Sequence, residues 1–270
     1  MLTPIQALRT SADAEALPRV HELEALYDYG FVPRRGQLLL VFGESGALKS
    51  FFAQWYVSRM NVAGLVFSPD NDAHTAIARL CAERSGYTTD SIIQALEAQA
   101  IGYVEDFLTD SKIQFCFDPS PTLDDIADEL AAYVELWDRY PEVILVDNLV
   151  NVESYSEDEW SGMRGIMREF HRMARETGAA VIVLSHAQEL GKPTECPPKR
   201  ALQGKVSQFP ERILSVAFDP SEMCFKLSPV KNRGGKSDSS GGLFVRLRAH
   251  PDRATFSQWI GAPRYDNSSD

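Results

Sequence analysis

One short segment constrains this chain more than any other, because a glycine-containing loop stands between an apolar run and a helical pattern. Residues 37–50 read QLLLVFGESGALKS. Gly43 and Gly46 let the backbone turn so that successive N–H groups point inward at an anion. Lys49 can reach the β- and γ-phosphates of a nucleotide, and Ser50 is placed to bind Mg²⁺. The segment predicts a phosphate-binding loop that leads into a helix, whose N-terminal dipole also faces the anion.

The loop departs from the pattern G-x-x-x-x-G-K-[ST] at one position, where Leu48 replaces the last glycine. We expect helical rather than left-handed backbone at Leu48, with its side chain directed away from the nucleotide. The alternative interpretation of the segment is an ordinary Gly/Ser turn before a helix. The residues predicted to bind the nucleotide are Gly43, Glu44, Ser45, Gly46, Ala47, Leu48, Lys49, Ser50 and Phe51.

Short β-rich apolar runs alternate with helical patterns from about residue 36 onward. This alternation indicates an α/β fold with a mostly parallel sheet flanked by helices, and the closely spaced strands near the end indicate an antiparallel C-terminal extension. Helices are predicted over 74–83, 122–139 and 161–176. The predicted strands are 37–42, 64–68, 113–117, 143–147, 181–185, 213–218, 224–230 and 243–248.

Polar side chains follow two of these buried strands directly. VILVD ends in Asp147, and VIVLSH ends in Ser185 and His186. Because ligands bind at the carboxyl ends of strands in α/β sheets, these side chains are expected at the ligand crevice. Asp147 is predicted to hold Mg²⁺ through water, and Ser185 or His186 to sense the γ-phosphate.

A further strand, GLVFSPDND, ends in Asp70 and Asp72. A nucleotide hydrolase needs a carboxylate that orients or deprotonates the attacking water, and either aspartate can supply it. The alternative is a polar turn whose aspartate caps the N-terminus of the helix predicted over 74–83.

The distribution of charge limits the partners of the chain. Its formal net charge is −11 and its pI is about 5.0, which argues against a protein that coats DNA along its whole surface. A local basic groove is compatible with this average, because salt screens charges beyond about 8–10 Å. The helix predicted over 161–176 carries a stripe of arginines, which indicates a solvated face, with a subunit interface or a nucleic-acid contact as alternatives. These arginines are Arg164, Arg168, Arg172 and Arg175.

Together these motifs resemble those of the RecA-like ATPases, in particular the compact phage-encoded RecA/DnaB-type proteins, a ring-forming class related to replicative helicases. GESGALKS resembles the family's phosphate loop, FSPDNDAHTAIARL its second strand, VILVDN its Mg²⁺-binding strand and VIVLSH its sensor strand. ALQGKVSQFPERIL at 201–214 and VKNRGGKS at 230–237 resemble two later segments of the family. The resemblance covers roughly residues 25–250.

The resemblance implies roles for individual residues. Asp70 stands where the family normally has a catalytic glutamate, Asp147 would bind Mg²⁺, and His186 would act as the sensor. Lys231 and Arg233 would reach the γ-phosphate bound by the neighbouring subunit, where an arginine neutralises charge that develops during phosphoryl transfer. A basic turn between two edge strands is the alternative interpretation of Lys231 and Arg233.

In RecA-like rings, DNA is held by the loops that follow the Mg²⁺ strand and the sensor strand. The first of these, residues 151–160, carries four acids and no base, which is unfavourable for binding phosphates. The second, residues 187–205, carries four bases against two acids, and its copies around a ring would form a basic collar. The residues predicted to contact DNA are Lys192, Lys199, Arg200 and Lys205.

The resulting prediction is an ATP- and Mg²⁺-dependent ATPase that acts on DNA, in single-stranded form, by translocation, unwinding or recombination. It would assemble as a hexameric or heptameric ring, or as a filament, with its sites at subunit interfaces. One alternative is a nucleotide-gated assembly or loader protein without motor activity. A weaker alternative is a metal-dependent nuclease that uses Asp70, Asp72 and Asp147.

The chain is predicted to consist of an N-terminal arm at 1–30, one ATPase domain at 31–262 and a flexible tail at 263–270. Four widely spaced cysteines without a CxxC pair predict free thiols in a reducing compartment. No signal peptide and no apolar run long enough for a membrane span is visible. We therefore expect a cytoplasmic protein, in the host cytoplasm if a phage encodes it.

Overall fold

The computed structural model describes residues 15–69, 72–154, 156 and 158–260, and within them a nine-stranded sheet forms the centre of the molecule. Its strands in chain order are β1 Leu38–Gly43, β2 Gly64–Phe67, β3 Ile113–Cys116, β4 Val143–Val146, β5 Ala180–His186, β6 Arg212–Asp219, β7 Cys224–Asn232, β8 Val245–His250 and β9 Thr255–Gln258.

The strands lie in the order β3-β2-β4-β5-β1-β6-β7-β8-β9. The first six strands in this order are parallel, and β7, β8 and β9 continue the sheet antiparallel beyond β6. The predicted α/β class and the antiparallel C-terminal extension are therefore confirmed. All eight predicted strands are present with ends that shift by two residues at most, and β9 is an additional strand.

Helices cover both faces of the sheet. Several of their N-termini carry side-chain caps, including Asp72, Asp158 and a capping box of Thr122 with Asp125. The helices are α1 Glu24–Tyr27, α2 Lys49–Met60, α3 Ala73–Ser85, α4 Thr89–Glu97, α5 Ile101–Leu108, α6 Leu123–Trp137 and α7 Glu159–Thr177. The three predicted helices correspond to α3, α6 and α7.

The strand β1 shows why the sheet is apolar on both faces. Leu38, Leu40 and Phe42 belong to the core layer beneath α6 and α7, whereas Leu39 and Val41 belong to the opposite layer with α2. Side chains alternate between the faces of a strand, so a strand covered by helices on both sides must be apolar throughout. Residues 17–31 contribute buried side chains to the α2 layer. The domain boundaries stay predictions, and the tail at 263–270 lies outside the described residues.

The topology brings the predicted site residues to one edge of the sheet. Gly43 at the end of β1 is opposite His186 at the end of β5, and Val146 at the end of β4 is opposite Val183. The carboxyl ends of β1, β5 and β4 therefore lie side by side. In an open α/β sheet this edge is where a ligand crevice forms.

Candidate nucleotide-binding site

A cleft of about 270 Å³ lies at the carboxyl edge of the parallel strands. The loop between β1 and α2 forms one wall, and the ends of β4 and β5 form the other. The lining residues are Ser45, Gly46, Ala47, Leu48, Lys49, Ser50, Phe51, Arg79, Asp147, Asn148 and His186. Seven of the nine predicted nucleotide-binding positions, together with Asp147 and His186, thus face one space.

The two loop glycines serve different purposes. Gly46 has φ of 76° and no heavy atom within 4 Å of the place where a Cβ would stand, so it is a turn glycine as predicted. Gly43 keeps ordinary φ, but a Cβ there would lie 2.5 Å from the carbonyl oxygen of Val216 on β6. The prediction that Gly43 serves the turn is wrong, because close packing of β1 against β6 excludes a side chain at position 43.

Leu48 has φ of 56° and ψ of 29°, which is left-handed backbone at the N-cap of α2. The expectation of helical backbone there is therefore wrong. The chain turns directly from the loop into α2 at this residue, in the conformation that the glycine of the common pattern adopts without strain. The half-buried Leu48 side chain packs against the apolar core on the α2 side of the sheet, and this contact offsets part of the strain.

The ammonium group of Lys49 is held inside the loop. Its Nζ donates hydrogen bonds to the carbonyl oxygens of Gly43, at 3.1 Å, and Glu44, at 2.9 Å. The carboxylate of Glu44 accepts a hydrogen bond from the backbone N–H of Leu190 at 3.0 Å. Gly43 and Glu44 therefore shape the loop through their backbones without lining the cleft, and Glu44 also ties the loop to the 187–205 segment.

Ser50 and Asp147 meet across the cleft. The Ser50 hydroxyl donates to Asp147 Oδ1 at 3.0 Å, and Asp147 is almost fully buried. A hydroxyl and a carboxylate oxygen at this separation are ligands of the kind that Mg²⁺ takes, with the remaining positions filled by water and phosphate. The residues present thus fit the predicted Mg²⁺ site.

Asn148 orients His186 at the mouth of the cleft. The Asn148 side-chain oxygen accepts a hydrogen bond from Val150 N–H at 3.0 Å, so its amide nitrogen is directed at His186 Nε2, 3.3 Å away. Because an amide nitrogen only donates, Nε2 is the acceptor in this arrangement and the ring proton is on Nδ1. The neighbouring Ser185 is fully buried and does not line the cleft, so His186 alone occupies the predicted sensor position.

Arg79 on α3 also lines the cleft, although sequence reasoning did not select it. Burial lowers the pKa of Arg79, whereas the charges of Asp147 and Asp72 oppose that change, and the guanidinium stays protonated. The Asp72 carboxylate accepts hydrogen bonds from the N–H and hydroxyl of Thr75, both at 2.8 Å, so it is the N-cap of α3. Asp70, the predicted catalytic carboxylate, lies outside the described residues.

Lys231 and Arg233 lie at the opposite end of the sheet. Asn232 pairs with Arg212 on β6, and Arg212 pairs with Leu39, four residues before the end of β1. At about 3.3 Å per residue, this places Arg233 at least roughly 13 Å from its own phosphate loop along the strand direction. Lys231 Nζ donates to the carbonyl oxygens of residues 207 and 208, at 2.8 and 3.3 Å.

The 187–205 segment, which was predicted to contact DNA, is fixed against the antiparallel part of the sheet. Lys226 donates to Thr194 O at 2.8 Å, Ser215 donates to Pro197 O at 2.6 Å, and Lys199 N–H donates to Ser239 O at 2.9 Å. Of the four predicted bases, Lys192 pairs with Glu195, whereas Arg200 and Lys205 are exposed and Lys199 is half-buried.

The arginine stripe of α7 consists largely of ion pairs. Arg164 pairs with Asp158, Arg172 with Glu169 and Glu176, and Arg175 with Glu211. Arg168 lies over the ring of Phe209. These contacts agree with a solvated face, and the alternatives of a subunit interface or nucleic-acid contact stay predictions.

Three further findings concern the described part of the chain. It contains no group of three or more His, Cys, Asp or Glu side chains arranged to hold a metal ion. Cys81, Cys116, Cys196 and Cys224 are free thiols, as predicted. No helix in residues 15–69, 72–154, 156 and 158–260 has the length and apolar character of a membrane span.

Two solved structures share this fold. A solved structure described as an ATPase domain superposes with a TM-score of 0.77 at 16% identity, and the match covers 95% of this chain and 96% of the other. A second structure, described as a DnaB-like replicative helicase and its interactions with primase, gives a TM-score of 0.77 at 16% identity, over 95% of this chain and 67% of the other. At this identity the likeness establishes the fold.

Comparison of sequences identifies the family. Gene 65 protein of Mycobacterium phage L5 is 38% identical over 258 residues, which are 92% of this chain and 95% of that protein. Gene 65 protein of Mycobacterium phage D29 is 36% identical over 220 residues, 78% of this chain and 94% of that protein. The AAA domain family matches residues 3–192. The chain therefore belongs to the AAA domain family and is a phage-type P-loop ATPase with the RecA/DnaB-like fold.

Proposed function

We propose that this protein hydrolyses Mg²⁺-bound ATP at the interfaces between its own copies, in a ring or filament that acts on DNA. The observation that carries the proposal is the division of the candidate catalytic residues between the two ends of the sheet. Lys49, Ser50 and Asp147 share the cleft at one end, and Arg233 extends from the other end.

Within the cleft, each side chain has a separable task. Lys49 would exchange its hydrogen bonds to loop carbonyls for the β- and γ-phosphates, and Ser50 and Asp147 would hold Mg²⁺. Mg²⁺ would neutralise charge on the phosphates during transfer. His186, oriented by Asn148, would detect the γ-phosphate, and departure of that phosphate would change the hydrogen bond between the two side chains. Asp70 remains our proposed orienting group for the attacking water.

The separation between Arg233 and its own loop supports catalysis in trans. Arg233 follows β7 and lies at the amino end of the parallel strands, so it cannot approach a phosphate bound at their carboxyl end. It is able to meet the loop of the next copy, because Arg233 is mostly exposed. An arginine in this position increases the rate by on the order of 10³–10⁵ in enzymes of this class.

Complementation between two inactive variants tests this proposal. Lys49→Ala should lose nucleotide binding, and Arg233→Ala should keep binding but hydrolyse ATP at least about 10³-fold more slowly. Mixing the two should restore part of the activity, because an intact loop can then meet an intact arginine. Arg248→Ala, which removes an exposed arginine from β8, is the matched control and should hydrolyse at the wild-type rate.

Three outcomes would contradict the proposal. Normal hydrolysis of ATP by Lys49→Ala would contradict the assignment of the phosphate-binding loop. Normal hydrolysis by Arg233→Ala, or mixed assemblies that form and stay inactive, would remove catalysis in trans. Sedimentation of the same mixtures shows whether mixed assemblies exist.

A nucleotide-gated loader without motor activity is the second candidate function. The acids of the 151–160 segment, among them Glu153, Asp158 and Glu159, oppose a DNA phosphate near one of the two expected contact loops. We propose that DNA contacts Lys199, Arg200 and Lys205 of the 187–205 segment rather than the 151–160 segment. We also propose that the protein acts in the host cytoplasm. Stimulation of ATP hydrolysis by single-stranded DNA favours the motor, and nucleotide-dependent assembly without such stimulation favours the loader.

A further inference from the structure

A buried carboxylate adjoins Arg233, the proposed trans-acting arginine. We propose that Glu211 is a positioning residue, which holds the Arg233 guanidinium in the direction of the neighbouring copy, and this inference rests on the proposed catalysis in trans. Glu211 immediately precedes β6, and its side chain is 3% exposed. Its Oε1 lies 3.7 Å from Arg233 Nη1, and its backbone oxygen accepts from Arg233 N–H at 3.2 Å.

The backbone on which Arg233 stands is already fixed. Asn232 donates from its amide nitrogen to the carbonyl oxygens of Tyr29 and Lys236, both at 3.1 Å. Gly235 packs so closely that a Cβ there would lie 2.5 Å from Tyr29 O. The turn that carries Arg233 is thus pinned to the N-terminal part of the chain. The remaining freedom is that of the exposed arginine side chain, and in the described structure Glu211 is its ion-pair partner.

Glu211 can release Arg233 without becoming an unpaired buried charge. Its Oε2 accepts from Leu38 N–H at 3.0 Å, and its Oε1 accepts from His171 Nε2 at 3.1 Å and Arg175 at 3.4 Å. Burial raises the pKa of Glu211, but the hydrogen bonds from Leu38 N–H and His171 outweigh burial and hold the pKa below its ordinary value, so the carboxylate is ionised at neutral pH. When Arg233 moves to a phosphate, three donors remain on Glu211.

The long distance to Arg233 is consistent with such a release. At 3.7 Å the pair is an electrostatic contact and lies beyond a good hydrogen bond, whereas the bonds to Leu38 and His171 are close to 3 Å. The carboxylate therefore limits the directions of the guanidinium without capturing it. A strong bidentate pair would compete with the phosphate instead.

The experiment compares Glu211→Gln in the wild-type and Arg233→Ala backgrounds. In the wild-type background, we expect kcat to fall about tenfold with nucleotide affinity unchanged, since misplacement of a catalytic group by about 1 Å costs up to roughly 100-fold. Affinity for ADP with fluoroaluminate, a mimic of the transferring phosphoryl group, should fall by a similar factor, while affinity for ADP alone stays constant. In the Arg233→Ala background, Glu211→Gln should have no further effect.

Controls separate positioning from folding. Glu169→Gln removes another acid from an arginine ion pair, on the surface of α7, and should leave both readouts unchanged. If Glu211→Gln does not fold, Glu211→Asp keeps the charge but draws it back from Arg233, and should give a smaller loss that also vanishes in the Arg233→Ala background. Thermal unfolding of each variant shows how much of the protein is folded.

The results distinguish the two proposals. If Arg233→Ala hydrolyses ATP slowly but Glu211→Gln hydrolyses it at the wild-type rate, the positioning role of Glu211 is overturned and catalysis in trans is not. Equal losses from Glu211→Gln in both backgrounds also overturn the positioning role, because Glu211 would then act independently of Arg233. An Arg233→Ala variant that hydrolyses ATP normally overturns catalysis in trans itself.

Discussion

Left-handed backbone at Leu48 has a consequence for stability that can be measured without any ligand. A non-glycine residue in this conformation carries roughly 1–2 kcal/mol of steric strain, which glycine relieves. Glycine also loses about 0.5–1 kcal/mol more backbone entropy on folding than alanine. The difference predicts that Leu48→Gly is more stable than Leu48→Ala by about 0.5–1 kcal/mol.

The comparison with alanine removes the packing contribution from the measurement. Both variants lose the half-buried leucine side chain, which is worth about 1 kcal/mol if full burial is worth roughly 1.5–3. Leu48→Gly should therefore lie within about 1 kcal/mol of the wild type, because relieved strain and lost packing nearly cancel. Its melting temperature should exceed that of Leu48→Ala by about 1–4 °C for a chain of this size.

Thermal and urea unfolding of the nucleotide-free protein are the assays. The matched control is Ala131→Gly, at an exposed position inside α6, where right-handed helix makes glycine about 1 kcal/mol worse than alanine. The preference for glycine should thus have opposite signs at the two positions. If Leu48→Ala is as stable as Leu48→Gly or more so, the backbone at residue 48 is not left-handed.

Two other expected outcomes concern charge. Replacing Lys199, Arg200 and Lys205 together by alanine should weaken binding of single-stranded DNA while ATP binding is retained. The slope of log K against log salt should decrease in magnitude by about 0.7 per lost phosphate contact. An unchanged slope would show that DNA contacts another part of the protein. The lowered pKa of Glu211 stabilises the fold above its ordinary pKa of 4.5. The stability advantage of wild type over Glu211→Gln in urea titrations should therefore shrink as pH falls below 4.5, and an advantage that grows below pH 4.5 contradicts this assignment.

The strands, their mostly parallel arrangement and the position of the cleft could be anticipated because their signals are local. Apolar runs that end in Gly43, Asp147 and His186 fix both the strands and the edge at which they meet. Leu48 could not be anticipated correctly, since leucine favours helical backbone and only the geometry of the β1–α2 connection overrides this preference. The role of Asp72 was open between catalysis and capping, and its bonds to Thr75 place it at the N-cap.

Arg79 and Glu211 carry no signal in the sequence that points to their positions. Arg79 occurs within an ordinary helical pattern, and its place beside Asp147 depends on how α3 packs. Glu211 is one acid among many, and its contacts join β1, α7 and the end of β7, which are far apart in the chain. A charged residue acquires such partners only through tertiary structure, so its burial is invisible to composition or periodicity.

The close approach of β1 to β6 changes how mutagenesis of the phosphate loop is to be interpreted. Gly43 and Gly46 belong to the same motif, yet a methyl group at position 43 meets the carbonyl of Val216, and one at position 46 meets open space. An inactive Gly43→Ala protein would report a displaced strand, whereas Gly46→Ala would report the backbone conformation of the loop. If Gly43 were invariant among relatives, the packing of the sheet would explain it. Gly43 would then be retained even in a relative that no longer binds a nucleotide.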